Sequence, residues 1–349
     1  MPKNKLKLNF GVEIELYVKP TEKTLKELET KEGFTLYLPE DDNDRRWRQQ
    51  DKNRLIVVEL IAEQLRTWLP DARTTRDGIP IDNYAAWNVD EDQSLVEEKK
   101  NIWGIELISR ILSTGYDWES EVEHIFNSLK QHWTIQEPGS CATHIHVSPF
   151  ESLYTLGQIK KIMKATWFFD EAFTKTATAS SKYNIWCMPN SKSVVVRKPR
   201  SPDEDKSWTS FENIRQAYRQ IEGHEGTTWN SIFQEINGVT SEMDAFIRMG
   251  GTRMVSMNFK HLCYSCRTIE FRRPPGVQSS EDAIYYALFA LGFFAEALNT
   301  DFAKYEQRTG CPSLKEFSKF VNDGLRKLDG RSRSTDRVRV LTKRPLMEV

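Results

Sequence analysis

The chain has 349 residues, 39% of them hydrophobic and 28% charged, which suits one large water-soluble domain or two ordinary ones. Formal net charge is −1, so no overall field favours nucleic acid or an anionic membrane, and no apolar run reaches the ~18 residues of a membrane span. Five cysteines, an odd number spread along the chain, do not make a disulfide framework, and without an apolar leader after Met1 the expected location is cytoplasmic.

The first element in chain order is the most informative. In Asn9 to Val18, residues Phe10, Val12, Ile14, Leu16 and Val18 share one parity and Glu13 and Glu15 share the other. On a strand this buries one face and projects two carboxylates together on the opposite face, ~7 Å apart along the chain. Like charges so placed repel, and a multivalent cation between them is the simplest compensation.

Val58, Ile61, Leu65 and Trp68 then predict a helix over Asp44 to Leu69, stopped by Pro70. Strands are expected around 84–90 and 102–108. In Asn88 to Ser94, Asp90, Asp92 and Ser94 share a parity, and in Trp103 to Ile108 Glu106 opposes Ile105 and Leu107. A stripe of Trp118, Val122, Ile125, Phe126, Leu129 and Trp133 makes Asp117 to Trp133 an amphipathic helix. In the next strand Thr143, Ile145 and Val147 face inward while His144, His146 and Ser148 project together.

Glu151 to Thr178 reads as one buried helix. Residues 182–250 read as an insertion over a pocket, with a basic segment from Lys192 to Arg200 and short helical patterns near 208–221 and 229–236. Two neighbouring strands are expected over Arg253 to Leu262 and Cys263 to Arg273. In the second, Thr268, Glu270 and Arg272 oppose Ile269 and Phe271, and Arg273 supports the sheet from behind. Cys263 and Cys266 form a C-x-x-C with no second pair, so buried or half-buried thiols are the expectation. Ser280 to Asn299 is the most apolar helix and Ser313 to Leu328 a surface one. The tail 326–349 is basic, with eight Lys and Arg from Arg326 to Arg344.

The polar faces add up to a floor of four Glu, two His and at least one Arg, a donor set suited to Mg²⁺ or Mn²⁺ beside phosphate. The chain has no Walker-type or kinase-type glycine loop, so phosphate binding would rest on metals and arginines. Arg272 is the foremost candidate, with Arg253, Arg197 and Arg200 behind it.

Six motifs in order carry a resemblance: Phe-Gly-Val-Glu-Ile-Glu (10–15), Asp-Gln-Ser (92–94), Gly-Ile-Glu-Leu-Ile-Ser (104–109), His-Ile-His-Val-Ser (144–148), Arg253 to Asn258, and Thr-Ile-Glu-Phe-Arg-Arg-Pro (268–274). Over roughly residues 8–300 the chain resembles the amidoligase family, grouped with glutamine synthetase and glutamate–cysteine ligase. The resemblance implies an α+β fold, a curved, mostly antiparallel sheet with helices on its outer face and the site on its concave side. It also implies an ATP-dependent ligase that joins a small-molecule carboxylic acid to an amine through an acyl phosphate.

Carried over by motif position, Glu13, Glu15, Glu106, His144 and Glu270 would hold Mg²⁺ or Mn²⁺. His146 would contact substrate or phosphate, Arg272 would stabilise the transferring phosphoryl group, and Ser148 and Asn258 would join the nucleotide contacts. Residues 1–325 would form one catalytic domain. Arg110 stands where the family commonly has Pro, and Ala142-Thr143 where a Gly commonly precedes the first His. A cupin-type oxygenase, which also uses H-x-H plus Glu, and a non-catalytic nucleotide or metabolite binder are the other readings of the same residues.

Overall fold

The computed structural model describes residues 5–36, 43–74, 84–92, 95, 101–136, 140–177, 184–193 and 201–329. Ten helices and nine strands are defined among them, and the strands join in one sheet, ordered β2-β3-β4-β1-β7-β9-β8. These are β1 (Leu8–Pro20), β2 (Arg73–Thr74), β3 (Asn88–Asp90), β4 (Trp103–Ile108), β5 (Leu112–Ser113), β6 (Trp133–Ile135), β7 (Thr143–Pro149), β8 (Met257–Asn258) and β9 (Ile269–Phe271). Only β2 and β3 run parallel.

Strand β1 is the spine. Its apolar parity, Phe10 to Val18, is at most 2% exposed at every position, which fixes register because a one-residue slip would bring the carboxylates into the core. One edge of β1 pairs with β4 and the other with β7, while β5 and β6 extend the pairing at its ends.

Helices α1 (Glu22–Thr30), α2 (Asn43–Leu65), α3 (Trp118–His132), α4 (Leu156–Phe168) and α5 (Asp170–Thr176) contribute to the core, together with α9 (Ser280–Asn299) and α10 (Leu314–Leu325). Trp118 of α3 packs edge-on against Phe10, and Phe289 of α9 stacks on Phe271 of β9. No helix among the described residues is long and apolar enough to cross a membrane.

Several elements differ from expectation for identifiable reasons. Helix α2 ends at Leu65, so Trp68 leaves the apolar stripe and is 61% exposed beside His124. The single helix expected over 151–178 starts at a Thr155–Gln158 capping box and breaks at Phe169, where the backbone leaves helical geometry. The break presents the buried Asp170 carboxylate to the backbone N–H groups of Asn190 and Ser191. The strand expected over 253–262 shrinks to β8 and then turns into a 3₁₀ helix at Lys260–Cys263. Its partner is regular only over β9, because Arg267 adopts a positive φ of 51° just before it.

Helix α10 is no mere surface helix. Phe317, Phe320, Val321 and Leu325 are buried, and α10 crosses α9 where Gly324 meets Gly292. Within 182–250, helices α6 (Pro202–Glu222) and α7 (Trp229–Asn237) pack against α4 through Trp167, Phe168, Phe211, Tyr218, Trp229 and Phe233, and α8 (Glu242–Arg248) also contacts α4. Beyond α10 the chain pairs with its own beginning: Leu6 N–H donates to Lys327 O and Asp329 N–H to Leu6 O, both at 2.8 Å. Residues 330–349, and with them most of the basic tail, lie outside the described residues.

Candidate active site

Antiparallel pairing places directly opposed residues on the same face, and here it assembles the polar side chains into rows. Glu15 opposes Glu106, and Glu106 in turn opposes Asp90 on β3. Glu13 opposes His144. Gly11 opposes His146, His146 opposes Glu270, and Glu270 opposes Asn258. Side chains from six strands thus meet on the polar face, and the central pairings β1 with β4, β1 with β7 and β7 with β9 join strands that are not consecutive in sequence.

The contacts are close. His144 Nδ1 lies 3.2 Å from Glu13 Oε2 and 3.6 Å from Glu270 Oε1, and its Nε2 lies 3.9 Å from Glu15 Oε1. His146 Nε2 is 3.1 Å from Glu13 Oε1 and 3.7 Å from Glu270 Oε1. Glu270, 1% exposed, accepts from Asn258 Nδ2 at 2.6 Å and pairs with Arg272 Nη1. The Ala142 backbone N–H, where the family commonly has Gly nearby, donates to Glu15 Oε2 at 2.7 Å.

The electrostatics divide the carboxylates in two. Burial works against ionising Glu13 and Glu270, yet the imidazoles around both, and for Glu270 also Arg272, hold their carboxyls well below the usual range. Burial, with Glu13, Asp92, Glu15 and Asp90 close by, pushes Glu106 up to about 9, and burial raises Glu15 as well. Carboxylates opposed across two strand pairs are mutually repulsive unless a proton or a cation sits among them. A hard divalent cation fits this donor set. Ligand atoms of Glu15, Glu106 and His144 lie within 4.8 Å of one another, as do those of Glu13, His144 and Glu270.

A cleft of about 410 Å³ opens onto this face, lined by Asn9, Glu13, Arg110, His146, Ser148, Cys266 and Thr268 among others. Its volume suits a small-molecule ligand. Arg110 is held there by Glu121, with Nε and Nη2 at 2.9 and 2.7 Å from the carboxylate.

The expected residues are therefore brought together unevenly. Glu13, Glu15, Glu106, His144, His146, Glu270 and Arg272 converge, and Ser148 lines the adjoining cleft. Asn258 is fully buried, its Nδ2 donating to Glu270 and its Oδ1 accepting from the Lys260 backbone, so in this structure it positions Glu270. Arg253 is exposed and lines a different cleft with Trp208, Met243 and Tyr264. No strand forms at Arg253, so parity does not carry it to the polar face.

Arg273 is buried behind the sheet, donating to Cys187 O at 2.8 Å and Ser256 Oγ at 3.1 Å. Arg197, Arg200 and Ser94 lie outside the described residues.

One residue of the site was invisible to strand periodicity. His261 sits in the 3₁₀ turn after β8, and its Nε2 reaches Glu270 Oε2 at 3.2 Å. Burial opposes its charge, but Cys266 and Glu270 raise His261 to about 10. Its only sequence signal was proximity to Cys263 and Cys266.

These features define a class of protein: mixed α/β, with carboxylates and imidazoles converging on the polar face of a largely antiparallel sheet. Residues 6–294 match the model of a family described as putative amidoligase enzyme, and the chain belongs to that family. That membership marks it as an amide-bond-forming ligase. No curated protein matches the chain.

Proposed function

We propose that the chain is an ATP-dependent carboxylate–amine ligase that makes an amide through an acyl phosphate. The observation that carries this reading is the convergence of Glu13, Glu15, Glu106, His144 and Glu270 beside Arg272, next to a cleft that admits a small molecule. The antiparallel sheet with helices on its apolar face is what a glutamine-synthetase-like catalytic fold requires. Mg²⁺ or Mn²⁺ held by the four carboxylates and His144 would align the ATP phosphates and neutralise their charge.

The chain's own residues supply orientation and fixed charge. Arg272 spends Nη1 on Glu270, while its Nε is buried without a hydrogen-bond partner among the described residues. An unspent guanidinium donor beside a metal-binding floor suits the equatorial oxygens of a transferring phosphoryl group. In the first step a carboxylate oxygen of the acid attacks the γ-phosphorus and the bond to the ADP oxygen breaks. In the second the amine nitrogen attacks the acyl carbon, inorganic phosphate departs with the C–O electron pair, and the nitrogen loses a proton.

The test is ADP release on incubation with ATP, Mg²⁺ and pooled carboxylic acids, amino acids and polyamines, with mass detection of the condensed product. Both Glu13→Gln and Glu270→Gln should abolish ADP formation while the chain stays folded. Arg272→Ala should lower kcat by ~10²–10³-fold, the usual loss for one preorganised donor at a developing charge. Wild-type turnover in either glutamine variant would sink the ligand assignment. Oxygen uptake without ADP would instead select the cupin-type oxygenase, and ATP binding with neither product would select a nucleotide-binding protein.

A further inference from the structure

We infer that His146, His261 and Glu270 form a separate site for a transition-metal ion, of the zinc, cobalt or ferrous class, beside the carboxylate-rich floor. The proposal does not depend on the ligase reading. It reassigns His146 from substrate contact to ion ligand.

Geometry comes first. One donor atom from each of the three residues lies within 4.8 Å of the others. Glu270 Oε2 is 3.2 Å from His261 Nε2, and Glu270 Oε1 is 3.7 Å from His146 Nε2. The two rings meet edge to face with centroids 5.0 Å apart. Ligands bound at ~2.0–2.2 Å around one ion stand about 3–4 Å apart, so these separations need little adjustment. Two imidazoles with one carboxylate form a donor set that favours borderline transition ions over Mg²⁺, which seeks oxygen.

A connected chain of hydrogen bonds on the far side of the rings then orients both. Cys266 Sγ lies 3.4 Å from His261 Nδ1 and 3.8 Å from the His261 carbonyl oxygen. If the thiol donates to that carbonyl, the sulfur accepts from His261 Nδ1–H. Thr268 Oγ1 donates toward the same sulfur at 3.8 Å, which leaves the Thr268 oxygen to accept from His146 Nδ1–H at 3.0 Å. Nδ1 of both imidazoles is then engaged on the outer side, and Nε2 of each is left facing Glu270. Fixing of the distal nitrogen by an outer partner is the usual arrangement around metal-bound histidine.

The inner side has room for a cation. His146 Nε2 is buried and makes no hydrogen bond of acceptable geometry among the described residues, although Glu13 Oε1 lies 3.1 Å away. His146 Nε2 thus faces two carboxylates across a gap that a shared proton or a metal ion can fill. An entry path exists as well, since Glu13, His146, Cys266 and Thr268 all line the 410 Å³ cleft. Ligand count, spacing, satisfied outer partners and access are together what a metal site has to supply.

The experiment is equilibrium dialysis of the intact chain with Zn²⁺ or Co²⁺ in a large excess of Mg²⁺, followed by elemental analysis and, for Co²⁺, visible absorption. The wild type should retain one transition ion per chain, and Glu106→Gln, which alters only the oxygen-rich floor, should retain it too. His261→Ala should lose the ion. Cys266→Ala should weaken it ~10–100-fold, the usual cost of removing an outer partner. A wild type that keeps no Zn²⁺ or Co²⁺ against Mg²⁺ would overturn the inference, and so would a folded His261→Ala chain that binds as the wild type does.

If His261→Ala does not fold, the wild-type retention and the Cys266→Ala shift still decide it. Because no arm reads catalysis, ion retention without ADP release would keep this inference and remove the ligase reading. Ion loss with active turnover would do the reverse.

Discussion

Glu106 is the residue on which the balance of the polar face turns. It faces Glu15 on one neighbouring strand and Asp90 on the other, and burial, with the charges of Glu13, Asp92, Glu15 and Asp90, pushes its carboxyl from 4.5 up to about 9. A carboxyl whose pKa rises on folding binds its proton more tightly folded than unfolded, so its contribution is intact below pH 4.5 and is lost as pH climbs from there toward 9. Metal-free protein should therefore show a falling Tm over that window, and Mg²⁺ should raise Tm most at its alkaline end, where the carboxylate is free to coordinate. Glu106→Gln should flatten the profile and shrink the Mg²⁺ increment. Thermal scans across pH, with and without Mg²⁺, check this; an unchanged slope in the variant would show that Glu106 does not carry the charge conflict.

At the scale of elements, two devices hold the site steady. Strand β1 supplies Glu13 and Glu15 from a rod whose other face is buried throughout, so the carboxylates stand on a rigid support rather than on a loop. The helix pair α9 and α10 closes the layer behind it through a glycine contact: a Cβ on Gly324 would lie 1.8 Å from the Gly292 carbonyl oxygen and 2.8 Å from the Glu296 nitrogen. Both neighbours are backbone, so the helices themselves would have to part. Alanine gains about 1 kcal/mol of helix propensity over glycine, but overpacking against immovable backbone costs about 1–3 kcal/mol and sometimes more. Gly324→Ala should accordingly destabilise the fold in chemical denaturation. A stabilised variant would mean that the crossing is looser than this contact implies.

For the whole molecule, the ends of the described chain are tied together. Leu6 bridges Leu328 in parallel, Lys7 approaches Asp329 at 3.9 Å, and Leu328 is buried against the core. Chain closure thus continues past α10, although the basic composition from Arg326 onward suggests a tail that starts earlier. A chain ended after Leu325 should be less stable than one ended after Asp329 by about 1.5–3 kcal/mol, the worth of one buried leucine side chain. Equal denaturation midpoints for the two would show that the closure is ornamental.

Sequence alone determined the strands with strict alternation and hence which way Glu13, Glu15, Glu106, His144, His146, Glu270 and Arg272 point, because a period of two assigns a face without reference to any partner. Facing direction does not set neighbours. That Glu106 stands opposite Glu15, and that Glu270 meets both histidines, follows from the order β4-β1-β7-β9, which is set by long-range pairing and core packing. Where alternation lapses, facing direction is not encoded locally. Over 253–262 a named strand forms only at Met257–Asn258, with a single parallel bridge from Val255 to Met188, so parity does not direct Arg253, and His261 reaches Glu270 from a turn that carries no periodic signal. Tertiary structure decided those two residues because a turn's direction depends on what it is anchored to, here Glu270 and Cys266, and not on its own sequence.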